Sequence, residues 1–179
     1  MKPNPPPYLS TEDAERMLKA APHKCEACGT RFPVRKRIFN SMMARQLLAL
    51  ASFDHTDPDN VGMFRVIDGV VWVHAPTYLP TLTYKKKNGD EKPLDRECGK
   101  LKYWRVTVKR RGKKHDKNPE RGYYAVTGRG FKVADGQIRL PKFILTKRRE
   151  GCIGVYGKRI TIDEAFKTHF HYQDFIDGL

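Results

Sequence analysis

The chain has 179 residues, room for one domain of ordinary size with an appendage. Its 39% hydrophobic and 11% aromatic content supplies a real core and excludes global disorder. Lys and Arg number 35 against 20 Asp and Glu, a formal net charge of +15, which is the electrostatic footprint of a nucleic-acid binder. No apolar run approaches the ~20 residues that a transmembrane helix needs. No segment joins a basic face to a long apolar one, so no membrane partner is expected. The opening MKPNPPPYLSTEDAERM lacks the apolar stretch of a signal peptide. The cysteines at 25, 28, 98 and 152 are too few and too uneven for a disulfide scaffold. A reduced, cytoplasmic compartment is the expectation.

Residues 1–9 are Pro-rich and read as an extended, mobile arm. Thr11 is the expected cap of a short helix over 12–21, with Glu12 and Asp13 at its positive end and Pro22 beyond it. The stretch HKCEACGTRFPVRKR, 23–37, reads as a CxxCG turn followed by a basic extended run. The clearest helix is 41–53, capped by Asn40 or Ser41. Met43, Leu47, Leu50 and Ala51 recur at helical spacing, and Met42, Leu48 and Phe53 widen the apolar side, which predicts burial. Residues 55–60 form a turn-rich linker. A strand is predicted at 70–73, after Asp68-Gly69, then a short helix over 77–82 and a polar loop over 85–93.

A second helix is predicted over 94–104. Leu94, Cys98 and Leu101 share one face, and Arg96, Lys100 and Tyr103 share another. Gly99 weakens this helix by about 1 kcal/mol relative to Ala. Strand 105–109 and its antiparallel partner 122–126 enclose a loop with no apolar residue, and 127–133 is a short helix. Strands are expected near 137–146 and 152–156, with a turn at 156–158. The last helix is placed at 162–170, where Thr161 and Glu164 make a capping box.

The middle of the chain thus runs helix, strand, short helix, helix, strand, charged loop, strand. Over 41–133 that order resembles a winged-helix domain, a helix-turn-helix with a β-hairpin attached. The resemblance implies that helix 94–104 enters the major groove and that hairpin 105–126 is the wing. The residues independently suit such a role. Arg96, Lys100 and Tyr103 oppose the apolar stripe, and Lys109, Arg110, Arg111, Lys113, Lys114, Lys117 and Arg121 crowd the hairpin. Charge at that density repels itself, and an anion relieves it; a solvated loop is the alternative. Leu101-Lys-Tyr-Trp104, Gly122-Tyr-Tyr before Thr127-Gly-Arg-Gly, and Arg139-Leu-Pro-Lys together resemble small uncharacterised proteins of bacteriophages and bacteria. That resemblance implies a bacterial or phage-infected host cell.

Cys25 and Cys28 have the spacing of half a zinc site, and Gly29 permits the tight turn. A closed structural site needs further ligands, for which His23, His55 or the pair His169 and His171 are available in the sequence. An unmetallated turn and a redox dithiol remain open. Cys98 and Cys152 read as core thiols.

No phosphate loop, dinucleotide fingerprint, HExxH or GxSxG occurs, so no catalytic residues are assigned and no enzyme is expected. The expected fold class is α+β: a winged-helix-like core with an N-terminal CxxC knuckle and a C-terminal β-hairpin plus short helix. The divisions are 1–22 (arm and short helix), 23–40 (knuckle), 41–136 (winged-helix-like domain) and 137–179 (hairpin and helix). The expected function is nucleic-acid binding, duplex DNA first, as a phage-encoded regulator. A phage protein that binds and modulates a host protein is the alternative. A metal-dependent nuclease using Asp54, Asp57 and Asp59 ranks third, since linker chemistry suffices for those acids.

Overall fold

The structure is a computed structural model, and it describes residues 5–20, 22–24, 29–85, 89–94, 98–110, 122–147 and 151–166. It is a mixed α+β fold built on antiparallel sheets around one central helix.

That helix is α2, Ser41–Ala51. Asn40 caps it, its side-chain oxygen accepting the Met43 N–H at 3.1 Å. Seven of its eleven residues are buried, Gln46 among them, so it has little polar face. Arg45, its one charged residue, lies between the rings of Tyr84 and Phe166, 4.8 and 4.9 Å from their centroids. Burial pulls that guanidinium below its ordinary pKa.

Two sheets wrap α2. The first combines β3 (Arg35–Ile38), β10 (Leu140–Lys147) and β11 (Gly151–Ile160), in the order β11-β10-β3. β11 is longer than the sequence suggests. The expected turn at 156–158 is instead a bulge within the strand, where Gly157 takes φ +79°. A side chain at Gly157 would press on the Phe143 ring, so the glycine serves both the bulge and the close approach. The second sheet has the order β4-β5-β9-β8, from Phe64–Ile67, Val70–His74, Tyr123–Val126 and Thr107–Lys109 respectively. Strand β4 is absent from the sequence reading. It pairs with β5 through Asp68-Gly69, both at positive φ, the primed turn that a two-residue hairpin favours. Two small hairpins complete the strands. β1 (His23–Lys24) pairs with β2 (Arg31–Phe32), and β6 (Thr83–Lys85) with β7 (Glu91–Pro93) where a polar loop is predicted.

The helix predicted over 94–104 is corrected. A 3-10 helix runs over Cys98–Trp104, and residues 95–97 lie outside the described set. Its buried residues are Cys98, Leu101 and Trp104, spaced by three, which is the 3-10 period. Trp104 explains the preference: its indole N–H donates to the Pro141 carbonyl at 2.8 Å, so its ring must face the core. At 100° per residue an α-helix would place Trp104 about 60° from Leu101 and about 120° from Cys98 around the axis.

Shorter helices close the structure: α1 (Thr11–Lys19), α3 (Ala75–Tyr78), α4 (Gly128–Ala134) and α5 (Ile162–Phe166). α1 begins one residue earlier than predicted, because Ser10 is the extended residue whose hydroxyl accepts the Asp13 N–H. The capping box of α5 forms: Glu164 accepts from the Thr161 N–H and Thr161 Oγ1 accepts from the Glu164 N–H. Residues 7–9, expected in a mobile arm, are extended but docked. Leu9 donates to Val155 and Val155 donates to Pro7, which uses the arm's carbonyl where proline has no N–H. One apolar cluster runs from Phe39 to Phe166; a smaller one seats α1 on Leu145 and Tyr156. Among the described residues no helix is long and apolar enough to cross a membrane.

Gly130 tests how α4 meets the sheet. A Cβ there would run into the Val106 carbonyl oxygen and the Val126 side chain. Gly130→Ala should therefore cost about 1–3 kcal/mol by overpacking, against the usual helix preference for Ala. Gly128→Ala, which meets open space, should stay within about 0.5 kcal/mol of neutral. Urea midpoints of the two variants check this; a stabilised Gly130→Ala would refute the contact.

Candidate nucleic-acid interface

The 3-10 geometry decides where the predicted groove face points. Lys100 and Tyr103 are three apart, so they align along one edge of the Cys98–Trp104 helix. Strand β3 lies alongside. Arg35 and Arg37 are two apart on that strand and therefore share a face. With Arg31, Lys147 and Tyr103 they line a cleft of about 340 Å³. The Arg37 Nε is buried and makes no hydrogen bond among the described residues. Lys100 lines a neighbouring cleft with Lys36 and Arg37.

On its other side Tyr103 borders a cleft of about 250 Å³ that holds Arg105, Arg129 and Arg159. These come from the end of the 3-10 helix, the start of α4 and the end of β11. Arg105 has φ +60°, an uncommon value for a residue with a side chain. Thr127 braces that turn: its hydroxyl donates to the Arg105 carbonyl at 2.8 Å and accepts from the Gly130 N–H at 3.0 Å. Burial, then the charges of Arg159 and Arg105, pull the Arg129 guanidinium below its ordinary pKa. Neither of the two clefts bordering Tyr103 is lined by a carboxylate among the described residues. Such a surface concentrates anions.

Of the other predicted contacts, Lys109 and Arg110 stand at the end of β8, the first exposed and the second half-buried. Being adjacent on a strand, they point to opposite faces of the sheet. Arg110 lies over the Trp72 ring, 5.6 Å from its centroid. Arg96, Arg111, Lys113, Lys114, Lys117 and Arg121 lie outside the described residues, as do Cys25, Cys28, His169 and His171. Strands β1 and β2 lie on either side of Cys25 and Cys28 in the sequence. Cys98 is buried, and Cys152 is half-buried with its thiol 3.5 Å from the Gly154 carbonyl. Among the described residues no group of three His, Cys, Asp or Glu side chains could hold a metal ion. Asp54 accepts both the N–H and the hydroxyl of Thr56, and Asp57 accepts the Asp59 N–H. Those hydrogen bonds, the side-chain one first, hold the Asp54 carboxyl below its ordinary pKa.

Comparison with protein-family models, curated proteins and solved structures finds no match for this chain.

Sequence reasoning missed Arg31, Arg35, Arg37, Lys147, Arg129 and Arg159. The alternation in Arg35-Lys-Arg37 was the available signal, since strand geometry puts its two arginines on one side. Nothing local links Arg129 to Arg159; only the fold brings them together. Removing one charge from that crowded group should help the free protein. Arg129→Met should raise the thermal midpoint at low salt, and the gain should shrink as sodium chloride screens the repulsion. A midpoint that falls at every salt concentration would show that Arg129 is held by favourable contacts instead.

Proposed function

We propose that the chain binds nucleic acid, duplex DNA first, through the cationic surface around the Cys98–Trp104 helix and the β8–β9 hairpin. The observation that carries this reading is the pair of clefts flanking Tyr103. One is lined by three arginines and the other by four cations, with no carboxylate lining either among the described residues. Phosphates spaced along a backbone suit such a row, and guanidinium groups bind them in a planar, bidentate manner. The winged-helix resemblance belongs to the same proposal. The 3-10 helix takes the place of the groove helix, and β8–β9 takes that of the wing. The proposed activity is binding without turnover, as a regulator in a bacterial or phage-infected cell.

The alternative of a host-protein partner would be favoured by a continuous apolar patch on hairpin 137–156. Instead α1 covers the side of that hairpin that carries Leu145 and Tyr156. No large hydrophobic residue of that stretch is exposed among the described residues.

Fluorescence anisotropy with a labelled duplex, across a salt series, tests the proposal. If about six phosphates are engaged, log K should fall against log salt with a slope near −5. Arg35→Ala, Arg37→Ala and Lys100→Ala should each reduce the slope by about one, alike for all sequences. Charge reversal at Lys113 and Lys114 should weaken all sequences equally, whereas Arg96→Ala should change sequence preference. Binding that ignores salt, or no binding, overturns the proposal. Zinc at Cys25 and Cys28 stays a separate proposal: elemental analysis should find about one ion per chain, lost when both are replaced by Ser.

A further inference from the structure

The second sheet has two faces of different character. One carries Val73, Tyr124 and Thr107, all buried toward α2 and α4. The strand registers fix the other. Arg65 faces Trp72, His74 faces Tyr123, and Val108 faces Ala125. Arg110 continues the row beside Tyr123, its N–H donating to the Tyr123 carbonyl at 3.0 Å.

On this outer face the side chains alternate between ring and cation. The Arg65 guanidinium lies 4.9 Å from the Tyr123 centroid, reaching across β5 from β4. Arg110 reaches the other way, to Trp72. Tyr123 and His74 are in ring contact at 4.8 Å, and Thr77 Oγ1 holds the imidazole Nδ1 at 2.6 Å. Trp72 and Tyr123 are half-buried and belong to neither apolar cluster. Val70 and Val108, on the same face, are 42% and 44% exposed. No described outward residue of these four strands is acidic. Core packing therefore does not account for two large rings here, and cation–π contact alone leaves them partly in water.

We infer that this sheet face is a stacking platform for the unpaired bases of a single-stranded nucleic acid. The inference goes beyond the proposed duplex contact: it shares β8 and β9 with the proposed wing, but its centre, Trp72 on β5, lies outside that hairpin. Aromatic rings and guanidinium planes both stack on bases, whatever the base, and Arg65 and Arg110 add attraction for the adjoining phosphates. A hydrophobic protein partner fits the same face less well, because two guanidinium groups lie among its rings.

The test titrates labelled oligo(dT) and oligo(U), beside the labelled duplex, into the full chain. Anisotropy and tryptophan emission are both followed. Trp104, 3% exposed, borders the arginine cleft, so quenching is assigned to Trp72 by its loss in Trp72→Phe. The wild type should bind the oligomers with quenching. Trp72→Ala, on β5 and outside the β8–β9 hairpin, should weaken oligomer binding about ten- to hundredfold while duplex binding stays within about twofold, and Tyr123→Ala should weaken oligomer binding by a similar factor. Trp72→Phe should keep most of the affinity. Oligomer binding without quenching, and unaltered in both alanine variants, overturns the platform. So does equal loss on both ligands in Trp72→Ala with native circular dichroism. Duplex binding with no oligomer binding overturns the platform and leaves the duplex proposal standing. If Trp72→Ala does not fold, wild-type quenching and Tyr123→Ala decide.

Discussion

Helix α2 has almost no polar surface to offer water, and the main apolar cluster is arranged to cover it. α4, α5, the 3-10 helix and β9 all pack on it. Each fully buried Leu on such a helix contributes about 1.5–3 kcal/mol relative to exposure, so leaving one side open would be costly for a chain of this size. Gln46 is 1% exposed, so even the helix's amide is enclosed. The consequence is a strict division of labour. Elements must turn their apolar residues inward to α2, and the chain's excess of cations is left for the outside.

That division explains why cations cluster although they repel one another. Strand β3 pairs on one side only, with β10, and its neighbours there are fixed by the register Ile38 to Phe143 and Arg35 to Thr146. Lys36 can cover Phe143, 4.0 Å from the ring centroid, so that face of β3 is satisfied by a cation–π contact. Arg35 and Arg37 must then point to the other face, toward Tyr103. At the opposite end, the positive φ of Arg105 turns the chain from the 3-10 helix into β8. A non-glycine residue there carries a backbone cost, which the Thr127 hydrogen bonds offset. Backbone demands thus place Arg105 beside Arg129 and Arg159, and the resulting repulsion is a property that folding alone does not require.

Legibility in the sequence followed how local each cause is. The capping box at Thr161 and Glu164 and the Asn40 cap depend on neighbours within three residues, and both were readable. The β8–β9 pairing was readable from two short strands around a polar loop. The 3-10 helix was misread because Leu94, Cys98 and Leu101 satisfy an α-helical period as well as chance spacing does. Only the long-range bond from Trp104 to Pro141 distinguishes the two. β4 was passed over although Asp68-Gly69 marks a hairpin, because its exposed Arg65 and Val66 hide the alternation. The turn expected at 156–158 failed for a related reason. Tyr-Gly-Lys is a turn signal locally, but pairing with β10 on either side absorbs the extra residue as a bulge. Of the candidate interface, Lys100 and Tyr103 share an edge of the 3-10 helix while Arg96 lies outside the described residues, and the clefts built from separate segments were not legible.

The two surfaces also differ in the physics by which they would hold a ligand. Around Tyr103 the attraction is charge on charge, so it weakens steeply as salt releases fewer counterions. On the outer sheet face the rings contribute through contact with a base, which salt scarcely screens, and the arginines contribute a smaller ionic part. Lys109 and Arg110 sit where these surfaces meet, adjacent in sequence and pointing to opposite sides of β8. A charge-only surface cannot tell a paired base from an unpaired one, since phosphates look alike to a lysine. Discrimination between paired and unpaired strands has to come from groups that meet the base itself, a part that the proposed platform would give to Trp72 and Tyr123.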